Sequence, residues 1–230
     1  MHAFPHLSAV DWISLVLFFA CWGGYAWFSE HSRWGDRGLV RTTQAYRLDW
    51  ARRMLEREIR VADSTLIGNL MTSVSFYANT TIYIIAGLVA ALGASDKLIS
   101  VTAELPFGGI GNRELLEIKL MLVLASFVFA YFKFTWSLRQ FNLVSILVGA
   151  APLGQPNQPI NESYAQRVAG ANNLAGDDFN RGIRAYYFGL AASGWLLNPL
   201  VLATLALTVL IVLYRRDFRS PALELLRDKH

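Results

Sequence analysis

The chain has a single cysteine, Cys21, in 230 residues, which excludes a disulfide framework and any multi-cysteine metal site. Charge is also sparse: Asp, Glu, Lys and Arg together make up 17% of the residues, against roughly 25% in a soluble domain. Enzyme signatures are missing too. The four histidines, His2, His6, His31 and His230, belong to no polar constellation, so no three-ligand zinc or haem set exists. The run Gly108-Gly109-Ile110-Gly111 does not satisfy G-x-G-x-x-G because position 114 is Glu, and there is neither a P-loop nor a G-x-S-x-G turn. No catalytic residue, metal or cofactor is therefore expected, and no enzymatic activity.

What is present is apolar surface. Hydrophobic residues make up 54% of the chain, with seven Trp, nine Tyr and fourteen Phe. A single water-soluble domain of this size could not bury so much. Such hydrophobicity excludes disorder, so the net charge of +4 is to be read against lipid head groups and topology, with no nucleic-acid partner.

Four stretches are long and apolar enough to cross about 30 Å of hydrocarbon as helices: residues 10–28, 70–92, 118–137 and 185–214. The first lacks both a basic n-region and a small-residue cleavage site, so it is expected to remain attached. The fold class is all-α, a polytopic integral membrane protein of one domain over 1–230. Its four transmembrane helices are joined by a basic amphipathic interfacial helix over 45–62 and a cytoplasmic loop and helix over 138–184. Eight arginines and no lysine separate the first two spans, while residues 1–10 carry neither, which puts the N-terminus outside. Four crossings then put the C-terminus outside as well. That conflicts with its Arg215, Arg216, Arg219, Arg227 and Lys229, which read as cytoplasmic.

Polar residues within these stretches are the candidates for function. In 45–62, Leu48, Ala51, Leu55 and Ile59 recur at helical spacing, with Arg47, Arg52, Arg53, Arg57 and Arg60 forming a cytoplasmic basic surface. Such a helix lies among anionic head groups or forms a positive vestibule. Asp63-Ser64 offers an N-cap for the next helix. In the second span, Asn69, Thr72, Ser73, Phe76, Asn79, Thr80, Tyr83 and Gly87 share adjoining turns of one face. Helix packing through small and hydroxyl residues is the plainer reading; a pore lining with Asn79 and Thr80 near mid-membrane is the sharper one.

Lys133, between Tyr131 and Trp136, is placed to snorkel; in a helix unbroken to Gln140 it would instead pair with a carboxylate or line a path. Asn142 opens the apolar run 141–151, too short to cross and therefore re-entrant or buried in protein. Asp177-Asp178 can cap a helix beginning near Phe179, and Asn198-Pro199 in its middle predicts a kink or, less simply, a broken helix that binds an ion.

Several stretches resemble the uncharacterised bacterial and plant membrane proteins grouped as domain of unknown function 599. They are Arg60-Val61-Ala62-Asp63-Ser64, the segment from Ser73 to Thr81, Arg139-Gln140-Phe141-Asn142 with Gly149-Ala150-Ala151-Pro152, Arg184-Ala185-Tyr186-Tyr187 with Gly194-Trp195, and the segment from Tyr214 to Ser220. The likeness spans nearly the whole chain. It implies a four-helix integral membrane domain and supplies no activity.

From the residues, the expected function is a homo-oligomeric channel or permeation pathway for a small ion or solute. Its polar-path candidates are Asn69, Ser73, Asn79, Thr80, Tyr83, Lys133, Asn142 and Asn198. A non-transporting scaffold subunit and a carrier are the alternatives. The expected partners are anionic bilayer lipids and further copies of the chain, and the expected location is the bacterial inner membrane.

Overall fold

A computed structural model describes residues 7–32, 38–103, 113–153 and 161–227. The glycine run 108–111, His2, His6, His230, Lys229, Arg33 and Arg37 lie outside the described residues. Those described are helical: α1 (Ala9–His31), α2 (Leu39–Glu56), α3 (Val61–Gly93), α4 (Ser95–Ala103), α5 (Arg113–Gly149), α6 (Glu162–Ser193), a 3-10 turn (Gly194–Leu196), α7 (Pro199–Phe218) and α8 (Pro221–Arg227). Helices α1, α3, α5 and the stretch from Pro199 to Leu226 are long and apolar enough to cross a membrane.

Side-chain pairs fix the helix directions. At one end, Trp195 Nε1 donates to Asp11 Oδ1 at 2.8 Å; at the other, Tyr25 Oη donates to Asp217 Oδ2 at 2.6 Å and Arg184 bonds Ser29 and Glu30. Helix α6 therefore runs antiparallel to α1, and α7 parallel to it. The chain passes five times between two ends: down α1, up α3, down α5, up α6, down α7. The expected single span over 185–214 is corrected accordingly. It contains a reversal, in which Asn198 Oδ1 accepts from the Leu200 N–H at 2.8 Å and Pro199 occupies the first helical turn. Asn-Pro begins a helix as readily as it kinks one, and here it begins α7.

The reversal resolves the charge conflict. With five passes the tail returns to the end that holds α2, where Tyr46 Oη bonds the Leu226 carbonyl. Arg47, Arg139, Arg181, Arg216 and Arg219 thus gather at one end, the end that the positive-inside rule expects to be cytoplasmic, and the N-terminus of α1 lies opposite. Helix α6 escapes a hydropathy reading because neighbours cover it on most sides over 182–192. A helix shielded from lipid has no need to be apolar. It is instead rich in Gly and Ala, which admit the large rings of α5: a Cβ at Gly182 would lie 2.5 Å from Phe134 Cε1.

Helices α3 and α5, of 33 and 37 residues, are each about 50 Å long or more at 1.5 Å per residue, well over the hydrocarbon thickness. Their excess builds a second bundle at the basic end. There Met54 and Leu55 of α2, Ile67 of α3, Val144 and Val148 of α5 and Ala165 and Val168 of α6 form one buried cluster. Two expectations are settled by it. The apolar run 141–151 continues α5 to Gly149 rather than re-entering the membrane, and it buries only the face that carries Phe141, Val144, Val148 and Ala151. The apolar stripe of α2 faces α5 and α6 rather than lipid, and α2 ends at Glu56, leaving Ile59 exposed. Nor does Asp63 cap α3, which starts at Val61; it is fully buried and accepts from Trp50 Nε1 and Arg57 of the α2 region. Asp177 and Asp178 likewise sit mid-helix, since α6 begins at Glu162 under an Asn161 cap.

Candidate functional site

Buried charges collect at the basic end of the membrane bundle, where α1, α5, α6 and α7 converge. Helix α6 supplies the centre, because Asp178, Arg181 and Arg184 recur at spacings of three and so share a face. Asp178, 5% exposed, accepts from Lys133 Nζ at 3.0 Å and Gln140 Nε2 at 2.6 Å, both on α5. Arg181 Nη1 stands 3.6 Å from the same carboxylate. Arg181 also donates bidentately to Glu30 of α1, both bonds at 3.0 Å, and buried Arg184 donates to Glu30 and to Ser29 Oγ. On α7, buried Asp217 accepts from Tyr25 and, at 2.8 Å, from Arg216 Nε. Charges withdrawn from water need such partners, and removal of one leaves the other stranded.

A polar cavity of about 220 Å³ opens among these groups, with Glu30, Asp177, Asp217, Arg181, Arg184 and Arg216 in its wall. Burial pushes the Asp177 carboxyl up from its ordinary range, against the pull of Arg47 and Arg181. Since Arg181, Arg184 and Arg216 each hold a carboxylate already, the layer locks the four helices in register.

The eight polar-path candidates do not converge. Lys133 belongs to the charged layer; α5 is unbroken through Gln140, and the ammonium pairs with Asp178 rather than snorkelling to the surface. Asn198 caps α7 at the opposite end, and Asn142 is exposed on the part of α5 beyond the layer. The other five lie on α3. Its inner face buries Ile67, Val74, Ala78 and Thr81; Asn69 and Ser73 are exposed beside α2, Asn79 and Tyr83 are exposed on the outer face, and Thr80 is half-buried. Hydroxyls on this helix bond back to its own carbonyls, Ser73 to Asn69 and Thr80 to Phe76. The carboxamides of Asn69 and Asn79 form no hydrogen bond among the described residues. Tyr77 stacks on Phe134, beside Lys133 in α5, so Asn79 lies close to the charged layer rather than at mid-span; Tyr83 lies a turn further in.

The basic surface expected on α2 is mostly tied to protein. Arg52 clamps Glu162 with bonds of 3.0 and 2.7 Å, Arg57 holds Asp63, and Arg60 donates to the carbonyls of Ala151 and Pro152 just past the end of α5. Arg47 reaches α6. Arg53 alone of the five is exposed without a partner among the described residues. Unanticipated from sequence were Glu30, Asp178, Arg181, Arg184 and Asp217. The signal that could have found the α6 residues is the Asp-x-x-Arg-x-x-Arg spacing on a Gly- and Ala-rich helix, which marks a charged face turned toward neighbours.

Four apolar helices around a buried charged layer, with further helices beyond the bilayer at the basic end, define an all-helical integral membrane protein. More particularly, the chain belongs to the family described as Protein of unknown function, DUF599, which matches residues 13–222. No curated protein and no solved structure matches it.

Proposed function

We propose that the protein is a self-assembling, non-enzymatic membrane channel, in which α3 helices from several copies enclose a path for a small ion or solute. One observation carries this reading: Asn79 and Tyr83 of α3 are turned away from their own subunit, the Asn79 carboxamide bare and Tyr83 78% exposed. An amide facing hydrocarbon without a partner costs a few kcal/mol, so the face calls for a polar neighbour or water. Further copies of the same helix around an axis supply both. The charged layer would then stiffen each subunit rather than conduct.

A scaffold without a path is the second reading, favoured by the hydroxyls that bond back to their own helix and so act as packing groups. A carrier has lost the feature that suggested it, since Asn198-Pro199 is a helix start.

The test is disulfide cross-linking of single-cysteine variants in a Cys21→Ala background, followed by flux from liposomes. Asn79→Cys and Tyr83→Cys are expected to link copies, while Val16→Cys on the exposed face of α1 is not. Asn79→Ala is expected to change the flux of the parent more than Thr80→Ala does. A monomer that links at neither α3 position overturns the assembly, and linked oligomers without parent flux favour the scaffold.

A further inference from the structure

A second cavity lies between α2 and α3, at the cytoplasmic side of the charged layer. It measures about 600 Å³, within the roughly 300–1,000 Å³ of ligand-sized pockets. Its wall is mainly apolar, formed by Leu66, Leu70 and Val74 of α3, Phe141 of α5 and Phe179 of α6, with Trp50 of α2 at one end. One cation stands in it. Arg47 donates from Nη1 to the Asn172 carbonyl at 3.4 Å and to Asn173 Oδ1 at 3.1 Å. No carboxylate lies within ion-pair distance of it among the described residues. Asp177 attracts it only from further off and belongs to the wall of the neighbouring polar cavity. A guanidinium half withdrawn from water without a counter-ion is costly.

The fold nevertheless makes room for it. A Cβ on Gly176 would lie 2.5 Å from Nη2 and 2.7 Å from Nη1 of Arg47, so the glycine leaves the space in which the guanidinium lies against α6. A cation with an open coordination side, set in a pocket of aliphatic and aromatic walls, complements one kind of molecule: an anionic head joined to an apolar tail. The upper wall, Val74 and Phe179, adjoins the level where Tyr77 and Phe134 stack beside the charged layer. An acyl chain would rise from there toward the inner leaflet while its head stays level with Arg47.

We infer that this cavity is a binding site for an acidic phospholipid of the inner leaflet, its phosphate held by Arg47 and its chain by the α3 wall. Asn69 and Ser73 of α3 also line this cavity, whereas Asn79 and Tyr83, on which a shared path rests, do not. Arg47 forms the charge-assisted bonds, and the amides of Asn172 and Asn180, also in the wall, are within the same polar corner.

Native mass spectrometry of the intact protein, loaded with dioleoyl phosphatidylglycerol or dioleoyl phosphatidylcholine, tests this directly. The parent is expected to retain the acidic lipid roughly ten-fold over the zwitterionic one, ~1.4 kcal/mol, about one charge-assisted hydrogen bond. Arg47→Gln should abolish that preference, Arg47→Lys should keep most of it, and Arg53→Gln, on the exposed side of α2, should leave it intact. Gly176→Ala, which displaces only the far end of a flexible side chain, should weaken it in a folded protein even where Arg47→Gln does not fold. Phosphatidylglycerol brominated along its chains should quench the parent's fluorescence more than that of Trp50→Phe. Equal retention of both lipids by the parent, equal loss in Arg53→Gln, or full displacement of the lipid by inorganic phosphate would each overturn the assignment, the last in favour of a free-anion site.

Discussion

The bundle has a polar cluster at each end, and they are built differently. At the far end, Asp11 closes a compact knot: it completes a capping box with Ser8, accepts the Trp195 indole, and lies near Lys119, whose ammonium sits 5.8 Å from the Trp195 ring centroid. One carboxylate there joins α1 to the start of the reversal. At the basic end, Glu30, Asp178 and Asp217 hold Lys133, Arg181, Arg184 and Arg216 around a cavity. The far cluster fastens a turn. The basic cluster sets the register of four helices and leaves room for polar contents.

The comparison rests first on which end is which. Leu225→Cys and Val10→Cys, both at exposed positions, should react with a membrane-impermeant maleimide from opposite faces of sealed vesicles, an all-or-none difference. Reaction from the same face would mean an even number of crossings and would dissolve the five-pass topology. Next in size, Asp178→Ala strands Lys133, Gln140 and Arg181 together and should cost about 3–5 kcal/mol, read as a fall in thermal midpoint in detergent. Asp11→Ala should cost about 1–2 kcal/mol, the worth of a cap and one buried hydrogen bond. If the two variants melt alike, the ends do not differ in the way their contacts indicate.

Much of this architecture was legible in the sequence, and the part that was not has a common cause. Apolar runs announce helices that face lipid, and α1, α3, α5 and α7 were visible for that reason. Helix α6 faces protein along its crossing, so its Ala, Gly and Arg residues read as a cytoplasmic loop and half a span. Losing α6 also lost the side of the tail. At the candidate sites, the polar stripe of α3 follows from period alone. Glu30 and Asp217 are 187 positions apart, and only the fold brings them to one cavity. Arg47 was legible as a charge; that its guanidinium lies against α6 depends on Gly176, 129 positions away in the chain.

The reversal at Asn198-Pro199 has a consequence for biosynthesis. Helix α1 emerges well before α7, yet they are neighbours, and the Tyr25–Asp217 bond spans 192 positions. Until α7 arrives, the α1 face carrying Tyr25 and Cys21 has no permanent cover. A chain arrested before Pro199 would present the Tyr25 hydroxyl and the Glu30 carboxylate without α7 beside them, a surface by which membrane quality control could tell an unfinished molecule from a finished one.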